Sequence, residues 1–223
     1  MDSINDVKKK LVNLMTNQID DNKFDLLDPV HDPDYMLNSP TVVGYTTTAE
    51  QQFIFQNLLI GFVSSNNTIL DIGCGRADLY GFLKQNNKSI MSYQGLDHNP
   101  IMSDLAKEKY NINIQTGAFE TIELETADWV VASGFFTPRR CESEDEDLKK
   151  LFNDIEKMYT IANKCISFNL LSPIGNKIID GFFYIHPGLV MDMLIEKYKY
   201  ITVRNNYSND VYTVTIYKYN KNK

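Results

Sequence analysis

The stretch NTILDIGCGRADLYGFL, Asn67 to Leu83, sets a short apolar run against two glycines and then a helical pattern. Thr68 to Ile72 is apolar or β-branched at nearly every position, as in a strand buried on both faces of a parallel sheet. The run stops at Gly73. Gly73 and Gly75 reach backbone angles closed to other residues, and without a Cβ they let a ligand lie against the main chain. From Ala77 to Gln85 apolar residues return at helical spacing, so the free amides of a helix start point toward whatever occupies the turn. This is a nucleotide-type pocket. The dinucleotide fingerprint G-x-G-x-x-G/A needs a small residue three places after its second glycine, and Asp78 stands there, which disfavours NAD. Asp71, two places before the first glycine, adds a carboxylate at the strand end.

A chain of 223 residues with 43% hydrophobic content supports one good core and a short appendage rather than two full domains. The division expected is an N-terminal helix with a loop or lid over residues 1–41, then one domain over 42–223. No apolar run reaches membrane-spanning length, and MDSINDVKKKLVNLM lacks the apolar block of a signal peptide, so a cytoplasmic protein is expected. Cys74, Cys141 and Cys165 are widely spaced, and their odd number argues against a disulfide framework. A formal charge of -7 removes the broad basic face that tight nonspecific nucleic-acid binding uses.

Taken in order, Ser3 to about Ile19 has helical spacing with Ser3 as a cap. Asp20 to Pro40 carries three prolines and several aspartates, which exclude a regular element and indicate a long loop or lid. Thr48 and Gln51 have the spacing of a capping box opening a helix that buries Phe53, Ile54, Phe55, Leu58, Leu59 and Phe62. Ser92 to Leu96 is a second strand ending in Asp97, about 20 residues after the glycines, where a carboxylate reaches adenosine ribose hydroxyls. Asn99 and Pro100 open the next helix, through Tyr110. A third strand runs from Ile112 to Thr116 and a fourth from Asp128 to Ser133, whose carboxyl end faces the crevice where sheet order reverses. Ser143 and Glu146 cap a helix whose acidic start, CESEDEDLKK, reads as a solvated first turn, with no convergent metal ligands. Lys164 to Leu171 is the fifth strand. A helix follows His186 and Pro187, and strands at Tyr200 to Asn205 and Val211 to Tyr219 close the pattern.

Over roughly Val42 to Lys218 the chain resembles the class I S-adenosylmethionine (SAM) methyltransferases. More narrowly, it is similar to a group of largely uncharacterised bacterial and phage methyltransferases. The resemblance rests on VGYTTTAEQQFIF, LDIGCGRADLYGFL, YQGLDHNP, VVASGFF, ISFNLLS, the FYIHP turn and NNYSNDVYTVTIYKY. It implies an α/β, Rossmann-like three-layer sandwich around a seven-stranded, mostly parallel sheet with an antiparallel last strand. It also implies that Asp71, Gly73 and Gly75 hold the methionine part of SAM, Asp97 the ribose and Phe119 the adenine. Ser133, Gly134 and Phe135 then lie near the sulfonium, with Cys74 and His98 among the cofactor contacts. An acidic or amide side chain usual at the adenine turn is absent, and Glu120 is a substitute.

Methyl transfer from SAM is an in-line displacement in which orientation supplies much of the rate, so a dedicated base is optional. For a hydroxyl acceptor, His186 is the candidate general base; it reads equally as a turn residue. Tyr45, Gln51, Asn169, Tyr184 and Tyr207 are candidate acceptor contacts, against ordinary turn, capping and packing roles. The D/N-P-P-Y/F motif of amino-methylating DNA enzymes is replaced by SGFF, and no Pro-Cys nucleophile occurs. A small-molecule, sugar or nucleotide-linked acceptor is the leading expectation, ahead of protein or nucleic-acid methylation and of a noncatalytic SAM-binding protein.

Overall fold

The computed structural model describes residues 33–62, 66–175 and 178–218. The helix expected at 3–19 lies outside the described residues. Six helices are described: α1 (Pro33–Asn38), α2 (Thr48–Leu58), α3 (Asp78–Gln85), α4 (Pro100–Tyr110), α5 (Glu144–Ile161) and α6 (Pro187–Ile195). The strands are β1 (Thr68–Ile72), β2 (Ser92–Asp97), β3 (Gln115–Thr116), β4 (Ala127–Ala132), β5 (Ala162–Leu171), β6 (Ile201–Arg204) and β7 (Val211–Tyr217). They form one seven-stranded sheet in the order β3-β2-β1-β4-β5-β7-β6. β1 pairs in parallel with β2 and β4, β2 with β3, and β4 with β5, whereas β7 runs antiparallel to both β5 and β6. This is the sheet implied by the sequence motifs.

Alternation along the strands divides the core. Leu70 and Ile72 of β1, Val130 and Ala132 of β4, and Ile166, Phe168 and Leu170 of β5 pack with Leu151, Ile155 and Met158 of α5 and Val190 and Leu194 of α6. On the opposite face Ile69, Trp129, Val131 and Cys165 meet Ile54, Phe55 and Leu58 of α2 and Leu79, Phe82 and Leu83 of α3. Each such aliphatic side chain, fully buried, contributes about 1.5–3 kcal/mol. Both faces covered is what a parallel sheet requires.

Local signals carry most boundaries. Asn99 accepts from the Ile101 amide at 3.0 Å and opens α4, and Ser143 with Glu146 forms the expected capping box of α5. Five expectations are corrected. The segment after 32 is not a plain loop: Pro33–Asn38 is helical and Pro40–Val43 is a 3-10 turn, because prolines sit at helix starts, where no amide is needed. The cap of α2 is Thr47, accepting from the Glu50 amide at 3.1 Å, one residue earlier than read. Phe53 is 47% exposed and lies edge-on to Tyr207 rather than in the core. The first turn of α5 is not wholly solvated, because Asp147 is buried and accepts from the amides of Arg140 and Cys141 and from Arg139 Nε. Among the described residues β3 is also shorter than read, two residues paired to the end of β2.

Candidate active site

Strand order reverses between β2-β1 and β4-β5, and ligands in such sheets bind outside the carboxyl ends of the strands at that point. The glycine loop stands there. Gly73 and Gly75 have φ of +66° and +53°, the left-handed region the sequence reading required. Four of the loop's amides are already committed, however. Those of Gly73 and Cys74 donate to the Leu96 carbonyl at 2.8 and 3.0 Å, Gly75 donates to Asp97 Oδ2 at 2.8 Å, and Ala77 to the Cys74 carbonyl at 3.0 Å. The loop is thus locked to the end of β2, and it offers a ligand carbonyls more than amides.

Asp97 receives Gly75 on one oxygen and the Asn99 amide on the other at 2.9 Å, with His98 Nδ1 3.6 Å away and largely exposed. An ionised carboxylate has about four lone-pair sites, so positions remain for two further donors. Asp71 is buried on β1 and accepts from the Tyr93 hydroxyl at 2.6 Å. Burial pushes its carboxyl up to about 7 against the opposing Tyr93 hydrogen bond, and the charge of Asp97 adds to the rise. Burial likewise pushes the Cys74 thiol well up, which keeps it protonated and unreactive.

Phe135 lies against the loop. A Cβ on Gly73 would come within 2.8 Å of its ring, whereas one on Gly134 meets nothing within 4 Å. The space beside Gly134 is therefore open, and that beside Gly73 is filled by Phe135. Phe119 is buried in the core, edge-on to Phe135 at 5.8 Å, and its carbonyl accepts from Lys157. Glu120 is committed at the surface to Lys150 and lies 4.0 Å from Arg140.

Of the residues expected to touch an acceptor, three join one side-chain chain. The Tyr45 hydroxyl bonds Ser133 at 2.7 Å, Asn169 Nδ2 donates to Ser133 at 2.9 Å, Thr213 donates to Asn169 Oδ1 at 2.8 Å, and Tyr207 bonds Thr213 at 2.7 Å. The chain crosses the carboxyl edge from β4 through β5 to β7. Gln51 is elsewhere: its amide donates to Asp78 Oδ2 at 3.1 Å in a buried cluster. The same Asp78 holds Arg76 at 3.0 Å, Lys109 at 2.8 Å and the Tyr110 hydroxyl at 3.0 Å. Tyr184 accepts from the Ile179 amide at 3.1 Å. His186 is the exposed cap of α6, its Nδ1 accepting from the Gly188 amide at 3.1 Å, so the nitrogen a base would use is engaged.

The sequence reading missed Arg76, Tyr93 and Thr213. Arg76 was detectable, as a basic residue two places before Asp78. Thr213 was not, because no local pattern fixes the register that sets it opposite Asn169. Among the described residues no cluster of His, Cys, Asp or Glu is placed to hold a metal ion, and no helix is long and apolar enough to cross a membrane.

No protein-family model matches the chain, and no curated protein matches it in sequence. Solved structures do match in shape. A SAM-dependent methyltransferase from Archaeoglobus fulgidus is similar over 77% of this chain and 95% of its own, with a TM-score of 0.57 at 16% identity. Human N-acetylserotonin methyltransferase in complex with SAM is similar over 96% of this chain and 65% of its own, with a TM-score of 0.59 at 12% identity. The fold is that of the SAM-dependent methyltransferases. A SAM-bound amino pentose methyltransferase from Micromonospora echinaspora shares it too, over 78% of this chain and 92% of its own, with a TM-score of 0.55 at 10% identity. At such identities the methyltransferase likeness speaks for architecture, and the site must argue for itself.

Proposed function

We propose that the crevice at the carboxyl ends of β1, β2 and β4 binds SAM, and that the protein transfers its methyl group to a small-molecule, sugar or nucleotide-linked acceptor. The observation that carries this reading is the bond from the Gly75 amide to Asp97, which ties the glycine loop to a carboxylate at the end of the next strand. Asp97 keeps lone pairs for two ribose hydroxyls, and His98 flanks it. Gly134 leaves the room a sulfonium and its methyl group need beside β4. Phe119 borders the adenine end through its backbone and through Phe135, not as an exposed ring.

In this reading the described residues 33–41 border the crevice as part of a lid, and 42–223 form the methyltransferase domain. In support, Arg76 donates to the Met36 carbonyl.

When bound, SAM supplies a methyl carbon activated by positively charged sulfur. The chain's own task is to orient the acceptor and exclude water. Burial drives the Tyr45 hydroxyl far above the usual tyrosine range, and nearby Asp71, Asp78 and Glu50 add to the rise, so Tyr45 stays protonated and is no base. With His186 engaged as a cap, the arrangement suits an acceptor that needs little deprotonation, such as an amine. The charge of -7 favours a small molecule over a nucleic acid. The shared fold of the amino pentose and N-acetylserotonin methyltransferases agrees with an acceptor of that size.

Calorimetry with SAM, S-adenosylhomocysteine (SAH) and NAD tests the cofactor. SAM and SAH bind and NAD does not; absence of both sulfur ligands ends the reading. Asp97→Ala weakens SAH by about tenfold or more, since it removes acceptors for ribose hydroxyls. Labelled SAM with fractionated cell extract then identifies the acceptor.

A further inference from the structure

Hydrogen bookkeeping along the Tyr45-to-Tyr207 chain assigns one more contact, and it rests on the SAM reading above. A hydroxyl has one hydrogen to give. That of Thr213 goes to Asn169 Oδ1, so Tyr207 must be the donor in the bond it shares with Thr213. Asn169 gives an amide hydrogen to Ser133, and the bond between Ser133 and Tyr45 uses the hydrogen of one of them. One hydroxyl hydrogen is left over. Two arrangements fit the Ser133–Tyr45 bond, with the spare hydrogen on Ser133 or on Tyr45; only the second points every bond the same way, from Tyr207 to Thr213 to Asn169 to Ser133 to Tyr45, and that alignment favours it and strengthens Tyr45 as a donor.

The position of that hydrogen matters. Asp71 pairs with Val131, and Gly73 and Ser133 follow two residues after that pair, at the carboxyl ends of the adjacent strands β1 and β4. The spare donor therefore lies toward the glycine loop, whose first three amides are already committed. The amides of Gly73, Cys74 and Gly75 are spent on Leu96 and Asp97, and the Arg76 guanidinium is held by Asp78 and the Met36 carbonyl. Acceptors abound there, in Asp71, Asp97 and the loop carbonyls. The amino acid part of SAM brings an ammonium group, which those acceptors serve, and a carboxylate, which they repel. We propose that the Tyr45 hydroxyl, aimed by Ser133 and Asn169, donates to the carboxylate of the cofactor's amino acid group. Tyr45 is then a cofactor contact rather than an acceptor contact, and Ser133, Asn169, Thr213 and Tyr207 position it.

The test compares, by calorimetry, SAH with S-adenosyl-3-thiopropylamine, the same molecule lacking the carboxylate. Tyr45→Phe should weaken SAH about tenfold to a hundredfold, the range for a lost hydrogen bond to a charged group, and leave the amine within about twofold. Equal losses for both ligands, or no loss for SAH, overturn the assignment. Should circular dichroism show Tyr45→Phe unfolded, the pair Ser133→Ala and Ser133→Thr decides. The alanine variant should lose preference for SAH over the amine, and the threonine variant, which keeps the hydroxyl, should retain it. Loss in both or in neither overturns the proposal. A wild-type protein that binds neither ligand removes the cofactor reading itself, whereas wild-type binding without the Tyr45 effect removes only this contact.

Discussion

Replacing Asp78 with Asn should be strongly destabilising. Arg76 is only 1% exposed, and its charge is balanced by Asp78, whose Oδ2 takes the Arg76 guanidinium and the Gln51 amide while Oδ1 takes Lys109 and the Tyr110 hydroxyl. Both oxygens face donors, so either orientation of an asparagine amide sets its NH2 against hydrogens and leaves the guanidinium uncompensated. Breaking a buried pair in this way costs about 3–5 kcal/mol, a large share of the roughly 5–15 kcal/mol that holds a typical domain. The expected fall in Tm is roughly 6–20 °C for a chain of this size. Urea unfolding followed by circular dichroism measures it, with exposed Glu108→Gln as a control that should shift stability by no more than about 0.5 kcal/mol. The pH dependence carries a second signature. Burial would raise the Asp78 carboxyl, but hydrogen bonds and charge from Arg76 and Lys109 outweigh it and hold it below the ordinary range. Its contribution is therefore present above the ordinary carboxylate range and lost as pH falls through the lowered folded value, so wild type and variant should converge in acid. A loss under about 1 kcal/mol near pH 7, a value usual for surface pairs, would refute the reasoning that the buried Arg76 charge depends on Asp78.

Asp71 should act in the opposite sense. Its carboxyl, raised to about 7 by burial, binds a proton in the folded state that the unfolded chain gives up near 4, so stability falls as pH rises between those values, and Asp71→Asn should flatten that slope in denaturant titrations across pH 4–8. Gly73→Ala should cost at least about 1–2 kcal/mol from the left-handed backbone alone. It should also displace Phe135, so that Phe135→Ala in the same chain recovers part of the loss on a thermal melt. His186→Ala should cost about 0.5–2 kcal/mol as a lost helix cap while methyl transfer stays within about twofold of wild type. A pH-dependent fall in transfer rate would return His186 to the chemistry.

The candidate site was legible in sequence wherever local backbone chemistry defines it. Gly73, Gly75 and Asp97 announce themselves because a tight turn needs positive φ and a strand end exposes its carboxylate, and caps at Asn99 and Ser143 need only neighbours within a turn. Side-chain commitments across the sheet were not legible. Gln51 reads as a cap by spacing, yet Thr47 takes that task and Gln51 turns inward to Asp78, a partner supplied by another helix. Tyr45, Asn169 and Tyr207 could be singled out one by one as polar groups near strand ends. Their union into one chain depends on Thr213, which enters through the β5-β7 register. Phe119 shows the converse: an aromatic at the expected turn, drawn into the core by its contact with Phe135.

The chain that ends at Tyr45 begins on the last strand. Thr213 and Tyr207 belong to β7 and the turn before it, among the last of the described residues to leave a ribosome, while the glycine loop and β2 are made early. A nascent chain can thus build the nucleotide end of the crevice well before its most distant hydroxyls arrive, and closing that distant pairing is a slow kind of step. The chain from Tyr207 to Tyr45 is therefore complete only once β7 has joined the sheet beside β5.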